Sequence, residues 1–512
     1  MKVAVLVVSK ALLEALAVAV PEVLAVVVGQ QNKMIEWNEI VRLIASWSVY
    51  LIYLAVIVST IWVVVLENRN PVKTIAWVLV LVFLPVIGLV FYIFFGRTHR
   101  RDQIISRRSY SKLLRRPEEE YLSQTDYVEP AGYEGLISLF QHSNHAFPYA
   151  NNSTEIFIDG SAWINTLLQE LQQAQDHIHL QSYIFADDEV GGRVRDVLIA
   201  KARQGVAVRV IYDDVGSWKT PNAFFDVMME AGIEVRSFLK VRFPLFTNKA
   251  NYRNHRKLII IDGHTGFIGG MNIADRYVKG VSWGIWRDTH LMIKGKAVHG
   301  LQTAFLLDWY FTDGTLLTAA HYFPMVGAMG KSIIQVVTSS PVQPGQEIVM
   351  GLMKAINNAR KYFYIQTPYF LPTEAMLNAL QTAAMSGVDV RLMVPEKSDT
   401  KMTHWGSRSY VADVLKFGVK VYFYRKGFLH SKLMVSDDQL TTIGSTNMDF
   451  RSFEHNFEAN AFIYDEHVAI EARDLFLADQ KECRQVTLKQ WEKRPRSNRV
   501  LESFIRLMSP LL

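Results

Sequence analysis

The sequence predicts an α/β fold built from two similar halves with mixed sheets, preceded by a hairpin of two transmembrane helices. Three observations lead to this prediction. One short pattern of histidine, lysine and aspartate occurs twice, 175 residues apart. The segments around the two copies resemble each other, and two long uncharged apolar stretches lie near the N-terminus.

The repeated pattern has a fixed spacing. Each copy places a lysine two residues after a histidine, an aspartate five residues later and, past a glycine-containing turn, an asparagine ten residues further on. The members are His255, Lys257, Asp262 and Asn272 in the first copy and His430, Lys432, Asp437 and Asn447 in the second. Two copies with identical spacing are very improbable by chance, so we expect one active site built from two similar halves.

The spacing also has a chemical meaning. The residues after each lysine, Leu258–Ile261 and Leu433–Val435, are apolar and partly β-branched, which predicts a strand. Side chains two positions apart on a strand share a face, so each histidine projects beside a fixed cation. The histidines, lysines and aspartates form the candidate catalytic set. Within it, we interpret Asp262 and Asp437 as holding the following turn rather than carrying protons.

The segments around the two copies correspond as well. Ile178–Phe185 parallels Tyr364–Phe370, and Gly205–Val210 parallels Gly387–Leu392. Each half thus reads as strand, amphipathic helix, strand, helix and signature strand, an α/β layout with a mixed sheet. Apolar residues at helical spacing predict the helices Ala162–Gln175 and Val349–Arg360.

The expected domain plan has five segments, with a connection near Thr312–Ser332 where glycine and threonine accumulate. They are an apolar segment of open role (1–40), two transmembrane helices (41–96), a basic juxtamembrane linker (97–134), the first half (135–312) and the second half with a C-terminal helix (333–512).

The prediction of a transmembrane hairpin is based on the length of two stretches and on their lack of charge. Leu43–Leu66 has 24 residues without a charge and Thr74–Gly96 has 23, and either can cross a hydrocarbon core of about 30 Å as a helix. Seven residues that include Asn70–Pro71 separate them, which indicates a tight hairpin. Met1–Val28 is apolar but interrupted, and remains open as a third membrane segment, an interfacial helix or an extension without defined structure.

The flanking charges predict the orientation. Eight basic residues follow the second stretch, whereas the hairpin loop offers only Arg69 and Lys73. An excess of lysine and arginine marks the cytoplasmic side, so the large domain is expected to face the cytoplasm. The eight residues are Arg97, Arg100, Arg101, Arg107, Arg108, Lys112, Arg115 and Arg116.

Composition excludes little by itself. The net charge of +6 suits an enzyme that acts on anionic lipids and would equally suit a nuclease. The single cysteine, Cys483, excludes an intramolecular disulfide, and no Cys/His cluster indicates structural zinc.

The doubled signature resembles that of the phospholipase D superfamily, over roughly residues 135–512, and within it the bacterial cardiolipin synthases. The residues that carry the resemblance, besides the signature itself, are Asn254–Lys257, Gly269–Ile273, Trp286–His290 and Gln366–Phe370. The resemblance implies two pseudo-symmetric phospholipase D-like domains whose signature strands meet at one cleft.

The resemblance further implies a function. Two phosphatidylglycerol molecules would yield cardiolipin and glycerol through a phosphohistidine, with His255 as nucleophile and His430 as acid and then base. Lys257, Lys432, Asn272 and Asn447 would donate to the phosphate oxygens, with no cofactor and no metal ion. The expected partners are phosphatidylglycerol and other anionic membrane lipids rather than nucleic acid, and the oligomeric state stays open. The alternatives are a membrane-bound phospholipase D that releases phosphatidic acid and a non-catalytic lipid-binding scaffold.

Each imidazole also needs an acceptor for its second nitrogen. In the second half Glu458, eleven residues after Asn447, matches the family's position; in the first half the candidate is Asp288, sixteen residues after Asn272. The second half carries Ser445, another candidate substrate-binding residue, where the first has Gly270, which hints that the halves are not equivalent.

The C-terminal tail is amphipathic. Helical spacing places Val500, Phe504, Leu507, Met508 and Leu511 on one face. This face is expected either at the membrane interface or against the protein, and the sequence leaves both open.

Overall fold

The computed structural model describes residues 37–66, 71–92, 106–125, 127–240, 252–343 and 345–509. The chain divides into two compact units, Met1–Thr98 and His99–Leu512, and each is described by itself. The prediction left open for Met1–Val28 lies outside the described residues.

The described residues of the N-terminal unit form three helices: α1 (Trp37–Leu66), α2 (Pro71–Phe83) and α3 (Pro85–Phe91). The first predicted span is confirmed as one helix, and its Val41–Leu66 section is the one stretch among the described residues that is long and apolar enough to cross a membrane. The second predicted span is wrong as a single helix, because the chain leaves helical geometry at Leu84 (φ −132°, ψ 61°). Pro85 lacks an N–H and starts a new helix at its first position.

The helices of this unit pack on one another through a small apolar cluster. Val64 of α1 lies against Leu81 of α2 and Tyr92, which follows α3, and all three side chains are buried. Most other apolar side chains of α1 point outwards; Val49 and Ile52 are 67% and 65% exposed. Outward-facing apolar residues are expected on a helix that lies in lipid.

The large unit is an α/β structure with one long mixed sheet, which confirms the predicted fold class. Its strands are β1 (Tyr149–Phe157), β2 (His177–Ser182), β3 (Ala207–Asp213), β4 (Glu234–Phe238), β5 (Arg253–Asn254), β6 (Leu258–Ile261), β7 (Thr265–Gly269), β8 (Ile285–Arg287), β9 (His290–Lys294), β10 (Ser332–Ser339), β11 (Tyr362–Gln366), β12 (Phe370–Leu371), β13 (Asp389–Pro395), β14 (Lys420–Tyr424), β15 (Gly427–Leu429), β16 (Leu433–Ser436), β17 (Leu440–Gly444), β18 (Met448–Asp449), β19 (Asn456–Tyr464) and β20 (Cys483–Val486).

Helices cover this sheet, and the two that were predicted begin and end within two residues of their expected bounds. The helices are α4 (Arg107–Leu122), α5 (Glu134–Asn144), α6 (Gly160–Gln173), α7 (Glu189–Arg203), α8 (Asn222–Glu230), α9 (Arg276–Lys279), α10 (Val298–Asp313), α11 (Glu347–Asn358), α12 (Glu374–Met385), α13 (Lys401–Ser409), α14 (Val411–Leu415), α15 (Phe450–Glu454), α16 (Glu466–Lys481), α17 (Leu488–Glu492) and α18 (Arg496–Leu507).

The sheet shows the two-fold pseudo-symmetry directly. From the centre outwards the first half runs β1-β9-β7-β6-β2-β3-β4, and the second runs β10-β19-β17-β16-β11-β13-β14, with β20 added at its edge. The halves join where β1 pairs antiparallel with β10. Both signature strands, β6 and β16, therefore occupy equivalent places in one continuous sheet.

Two segments outside the halves pack on this unit. Within the predicted basic linker, α4 buries Leu113 in the central apolar core. The connection between the halves runs from α10 to β10 and places Tyr322 and Phe323 in the same core. Both segments contribute apolar side chains, so they are part of the folded unit.

Candidate active site

The backbone before each signature histidine pairs with a strand of the other half. The short strand β5 lies parallel to β19, and the N–H of His255 donates to the carbonyl of Phe457 at 2.9 Å. Correspondingly, β15 lies parallel to β8, and the N–H of His430 donates to the carbonyl of Arg287 at 2.7 Å. Each half therefore positions its histidine on the other half's strand.

The carboxylate that holds each imidazole also comes from the other half. Nδ1 of His255 lies 3.1 Å from both carboxylate oxygens of Glu458. Nδ1 of His430 lies 2.6 Å from Oδ2 of Asp288. All four residues are buried. We assign the Nδ1 proton to this hydrogen bond in both pairs, which leaves Nε2 as the nitrogen available for chemistry.

The two carboxylates occupy equivalent positions in the sheet. Asp288 lies two residues before His290, which pairs with Gly269 at the end of β7. Glu458 lies two residues before Asn460, which pairs with Gly444 at the end of β17. Asp288 follows its asparagine by sixteen residues instead of eleven because the first half has five more residues here, in the segment that contains α9. The structure thus brings both predicted acceptors to the site and exchanges their partners.

Gly270 is explained by the length of Asp288. A Cβ at position 270 would lie 2.0 Å from Oδ1 of Asp288, so the shorter carboxylate fills the space that a side chain would need. In the second half the longer Glu458 reaches further, and Ser445 fits beside it and donates a hydrogen bond to Oε2 of Glu458. The serine therefore holds the carboxylate.

Each signature lysine lies against its own histidine. Nζ of Lys257 donates to the carbonyl of His255 at 2.6 Å, and Nζ of Lys432 donates to the carbonyl of His430. Both ammonium groups are buried, and that of Lys432 is 2.8 Å from Nδ1 of His430. The strands begin only after the lysines, so extended chain before each strand carries the pair.

Burial sets the charge state of the cations and imidazoles. It lowers the pKa of Lys257 to about 7 and that of Lys432 to about 8, although nearby carboxylates oppose the effect. Burial and Lys432 lower the pKa of His430 to about 4 despite Asp288, and burial also lowers the pKa of His255. Both imidazoles are therefore neutral at pH 7.

At the two carboxylates, the neighbouring lysines and histidines have a larger effect on the pKa than burial has. Burial alone would raise the pKa of Asp288, but Lys432 and the hydrogen-bonded His430 outweigh it and lower the pKa to about 2. Burial would also raise the pKa of Glu458, but His255 and Lys257 outweigh burial and lower this pKa. Both carboxylates are therefore charged and act as fixed acceptors for the imidazoles.

The two histidine–lysine pairs influence each other across the halves. Lys432 lowers the pKa of both His255 and Lys257, whereas Asp288 of the first half raises that of Lys432. The energy of such an interaction decreases with the distance between the charges. Charges of the two pairs therefore act on each other, in addition to the contacts of His255 with Glu458 and of His430 with Asp288.

The signature aspartates lie away from the imidazoles, beyond the far end of each signature strand. The carboxylate of Asp262 accepts from the backbone N–H groups of residues 175–177 at 2.7–2.9 Å. That of Asp437 accepts from residues 360–362 at 2.6–2.9 Å. Both residues have a positive φ, as the turns that follow the strands require. Their contacts are those of residues that fix a turn.

The two asparagines are less alike than their spacing indicates. Asn272 accepts from the N–H of Ile184 at 3.0 Å and donates to the hydroxyl of Tyr277. The backbone N–H of Asn447 donates to Ser452, and its buried Oδ1 has no hydrogen-bond partner within the described residues. One amide is held by the protein, and the other has an acceptor still unsatisfied.

Aromatic side chains surround His430, and the sequence alone did not identify most of them. The ring centres of Trp286, Phe428 and Tyr369 lie 5.1, 5.5 and 6.4 Å from that of His430. His255 has the Tyr183 ring at 5.2 Å. Trp286 belongs to a stretch that carried the resemblance, but no spacing rule places its ring beside a histidine of the other half.

A buried arginine links the halves behind the site. Arg256, between His255 and Lys257, donates to Asp308 of its own half at 2.7 Å. It also donates to the carbonyl groups of Glu458 and Ser339 in the second half, at 3.0 and 3.1 Å. Within the described residues no group of three or more His, Cys, Asp or Glu side chains has the arrangement of a metal site.

Two family models match the chain. The model described as "Cardiolipin synthase, PLD-like domain" matches residues 167–309 and 352–480, one region in each half. The model described as "Phospholipase D-nuclease N-terminal" matches residues 52–97.

Curated relatives match over most of the chain. The "Major cardiolipin synthase ClsA" of Bacillus subtilis (strain 168) is 40% identical over 480 residues, which is 92% of this chain and 100% of the relative. The "Cardiolipin synthase" of Geobacillus sp. (strain WCH70) is 41% identical over 467 residues, 89% of this chain and 92% of the relative.

A solved structure shares the fold at low identity. The crystal structure of a phosphatidylserine synthase from Haemophilus influenzae Rd KW20 superposes with a TM-score of 0.58 at 13% identity. The matched region covers 74% of this chain and 100% of the Haemophilus influenzae chain. At this identity the likeness concerns the fold alone.

Proposed function

Because the chain belongs to the cardiolipin synthase family of the phospholipase D superfamily, we propose that it is a membrane-bound phosphatidyltransferase. It condenses two phosphatidylglycerol molecules into cardiolipin and glycerol. The observation that carries the proposal is the crosswise pairing of His255 with Glu458 and of His430 with Asp288. This pairing gives the two imidazoles fixed orientations within one charged cluster.

In the first step Nε2 of His255 attacks phosphorus of the donor lipid, and the P–O bond to the departing glycerol breaks. The phosphatidyl group is now bonded to His255, and His430 protonates the glycerol oxygen. A neutral imidazole is the nucleophilic form, and the lowered pKa of His255 provides it. His430 acquires its proton when the anionic phosphodiester enters, because a nearby negative charge favours the imidazolium.

In the second step a glycerol hydroxyl of another phosphatidylglycerol is the acceptor. His430, now neutral, takes the proton of that hydroxyl, and the oxygen attacks phosphorus and releases His255. The products are cardiolipin and the regenerated site. Transfer to water instead would give phosphatidic acid, so the two outcomes differ only in which hydroxyl reaches phosphorus.

Four side chains support the charge that develops on phosphorus. Lys257 and Lys432 lie beside the histidines as buried cations, and Asn272 and Asn447 contribute amide N–H groups. Removal of one preorganised donor of this kind typically costs about 3–4 kcal/mol of transition-state stabilisation. The cationic lysines take the place that a metal ion has in other phosphoryl-transfer sites, so none is required.

We infer that the chain crosses the bacterial inner membrane more than once and keeps its catalytic unit in the cytoplasm. The apolar helix α1 and the apolar sequence from α2 onwards support two crossings. The basic residues after residue 96 support the cytoplasmic side.

The test is a lipid analysis after incubation of the purified full-length protein with phosphatidylglycerol. Accumulation of cardiolipin and glycerol is the expected result, and EDTA should leave the rate largely unchanged. Phosphatidic acid as the main product would indicate a hydrolase instead. Strong inhibition by EDTA that a divalent ion reverses would contradict the metal-free mechanism.

A further inference from the structure

The C-terminal helix α18 has its polar and apolar faces reversed relative to an ordinary surface helix. Glu502 is 3% exposed, whereas Val500, Phe504 and Leu507 are 70%, 62% and 79% exposed. A surface helix normally buries its apolar stripe and presents its charged side to water. The arrangement of α18 therefore leaves a continuous apolar face without cover in the described part of the chain.

Specific ion pairs hold the polar face of α18 against the protein. The buried carboxylate of Glu502 pairs with Arg494 at 2.5 Å, and Arg506 donates to Asp413 at 2.7 Å. The guanidinium of Arg506 also lies 4.2 Å from the ring centre of Tyr410. These contacts fix the rotation of the helix, so the apolar face points outwards because its opposite face is tied down.

The charge around this face indicates what covers it. Exposed basic side chains on and just before the helix are Lys489, Lys493, Arg496 and Arg499, against one exposed acidic residue, Glu492. A helix with an apolar face and a basic border binds the interface of a membrane that contains anionic lipid. A soluble acidic partner would complement the charges but would not require Phe504 and Leu507 to be exposed.

The position of α18 connects this face to the active site. Helix α18 packs against α13, whose N-terminal cap is Thr400. The preceding residue, Asp399, accepts a hydrogen bond from the hydroxyl of Tyr369 at 2.8 Å. The ring of Tyr369 lies beside His430. A membrane bound to the apolar face would therefore lie on the other side of α18 from α13, and the residue before the cap of α13 contacts Tyr369 beside His430.

We propose that α18 is an interfacial membrane anchor of the catalytic unit, separate from the N-terminal apolar helices. Val500, Phe504 and Leu507 enter the boundary between headgroups and acyl chains, and the basic border contacts anionic headgroups. The occupant is a lipid bilayer, and the helix lies in its plane. This contact would keep the catalytic unit at the surface from which its substrates are drawn.

Site-directed spin labelling of the full-length chain tests the proposal. Because Cys483 is the one cysteine, Cys483→Ser gives a background in which Phe504→Cys and Leu507→Cys can each carry a single label. Asp474→Cys, at an exposed position of α16, is the matched control. The protein is placed in phosphatidylcholine vesicles with or without phosphatidylserine, an anionic lipid that is not the proposed substrate.

With phosphatidylserine present, labels at 504 and 507 should collide more often with oxygen than with a water-soluble nickel complex, and the label at 474 should show the reverse. Without phosphatidylserine the preference for oxygen should weaken. Nickel accessibility at 504 and 507 equal to that at 474 would overturn the proposal. So would labels shielded from both reagents, with spin–spin broadening, because that result indicates a second copy on this face. The readout needs no turnover, so failure of the proposed function would not affect it.

Discussion

Asp288 of the first half accepts a hydrogen bond from Nδ1 of His430 in the second half at 2.6 Å. Glu458 of the second half holds His255 of the first in the same way, at 3.1 Å. Neither half therefore contains a complete histidine–carboxylate pair. A half that folded alone would present an imidazole without its acceptor, so the histidine–carboxylate pairs require both halves.

Asp288→Asn should lower kcat by about 10²- to 10⁴-fold, the range associated with loss of a positioned proton carrier. The amide keeps the shape of the side chain but removes the charge that orients and stabilises the imidazolium of His430. Asp288→Asn and His430→Ala should be strongly non-additive in a double-mutant cycle, because they disable one unit. If Asp288→Asn lowers kcat as much in the His430→Ala background as in the wild type, this result would contradict the pairing.

Gly270→Ala should reduce activity far more than Ser445→Ala, although the two positions are equivalent. The added Cβ at 270 would meet Oδ1 of Asp288 at 2.0 Å and displace the carboxylate from His430. Loss of the Ser445 hydroxyl leaves Glu458 with its contacts to His255 and Asn456. Steady-state rates of the two variants provide the comparison, and equal rates would show that Gly270 does not protect Asp288.

The rate should fall as pH rises through about 7 to 8. The pKa of Lys257 is lowered to about 7 and that of Lys432 to about 8, so these lysines lose their charge in this range. The effect concerns the free enzyme and should be visible in the pH profile of kcat/KM. Lys257→Arg keeps a cation at all relevant pH values, so its profile should extend to higher pH even where its maximal rate is lower. An unchanged alkaline limb would exclude Lys257 as the titrating group.

Asp262→Ala and Asp437→Ala should act on stability rather than on chemistry. Each carboxylate accepts from three successive backbone N–H groups, and their loss should lower the free energy of unfolding by about 1–3 kcal/mol. Thermal unfolding in detergent measures this change. Asp196→Ala, which removes an exposed ion pair with Arg195, is the control and should change stability little. A loss of kcat in folded Asp262→Ala without a lower melting temperature would point to a direct catalytic role.

The sequence indicated which histidines, lysines and carboxylates lie together, because the repeated spacing from the histidine to the asparagine fixes their positions along each half. It also predicted the two signature strands and two of the helices. It did not reveal the exchange of carboxylates, since that depends on the pairing of β5 with β19 and of β15 with β8. Such pairings join residues more than a hundred positions apart and leave no local pattern.

Two further differences have visible causes in the chain. The second apolar stretch divides at Leu84 because Pro85 follows it, a signal that the count of uncharged residues ignored. The uneven offset of Asp288 arises from additional chain around α9, which a fixed-spacing comparison cannot detect. By contrast, the orientation of α18 depends in part on the ion pair of Arg506 with Asp413, which lies 93 positions away, so no local pattern indicates it.

The most direct test of one site shared by both halves uses a phosphatidyl ester of p-nitrophenol, whose leaving group needs no proton. With this substrate His430→Ala should release a stoichiometric burst of p-nitrophenol and accumulate a phosphatidyl adduct on His255, detectable by mass spectrometry. The adduct persists because no base activates the acceptor. His255→Ala should give no burst and no adduct. A burst from His255→Ala, or an adduct on any residue other than His255 in His430→Ala, would contradict the account.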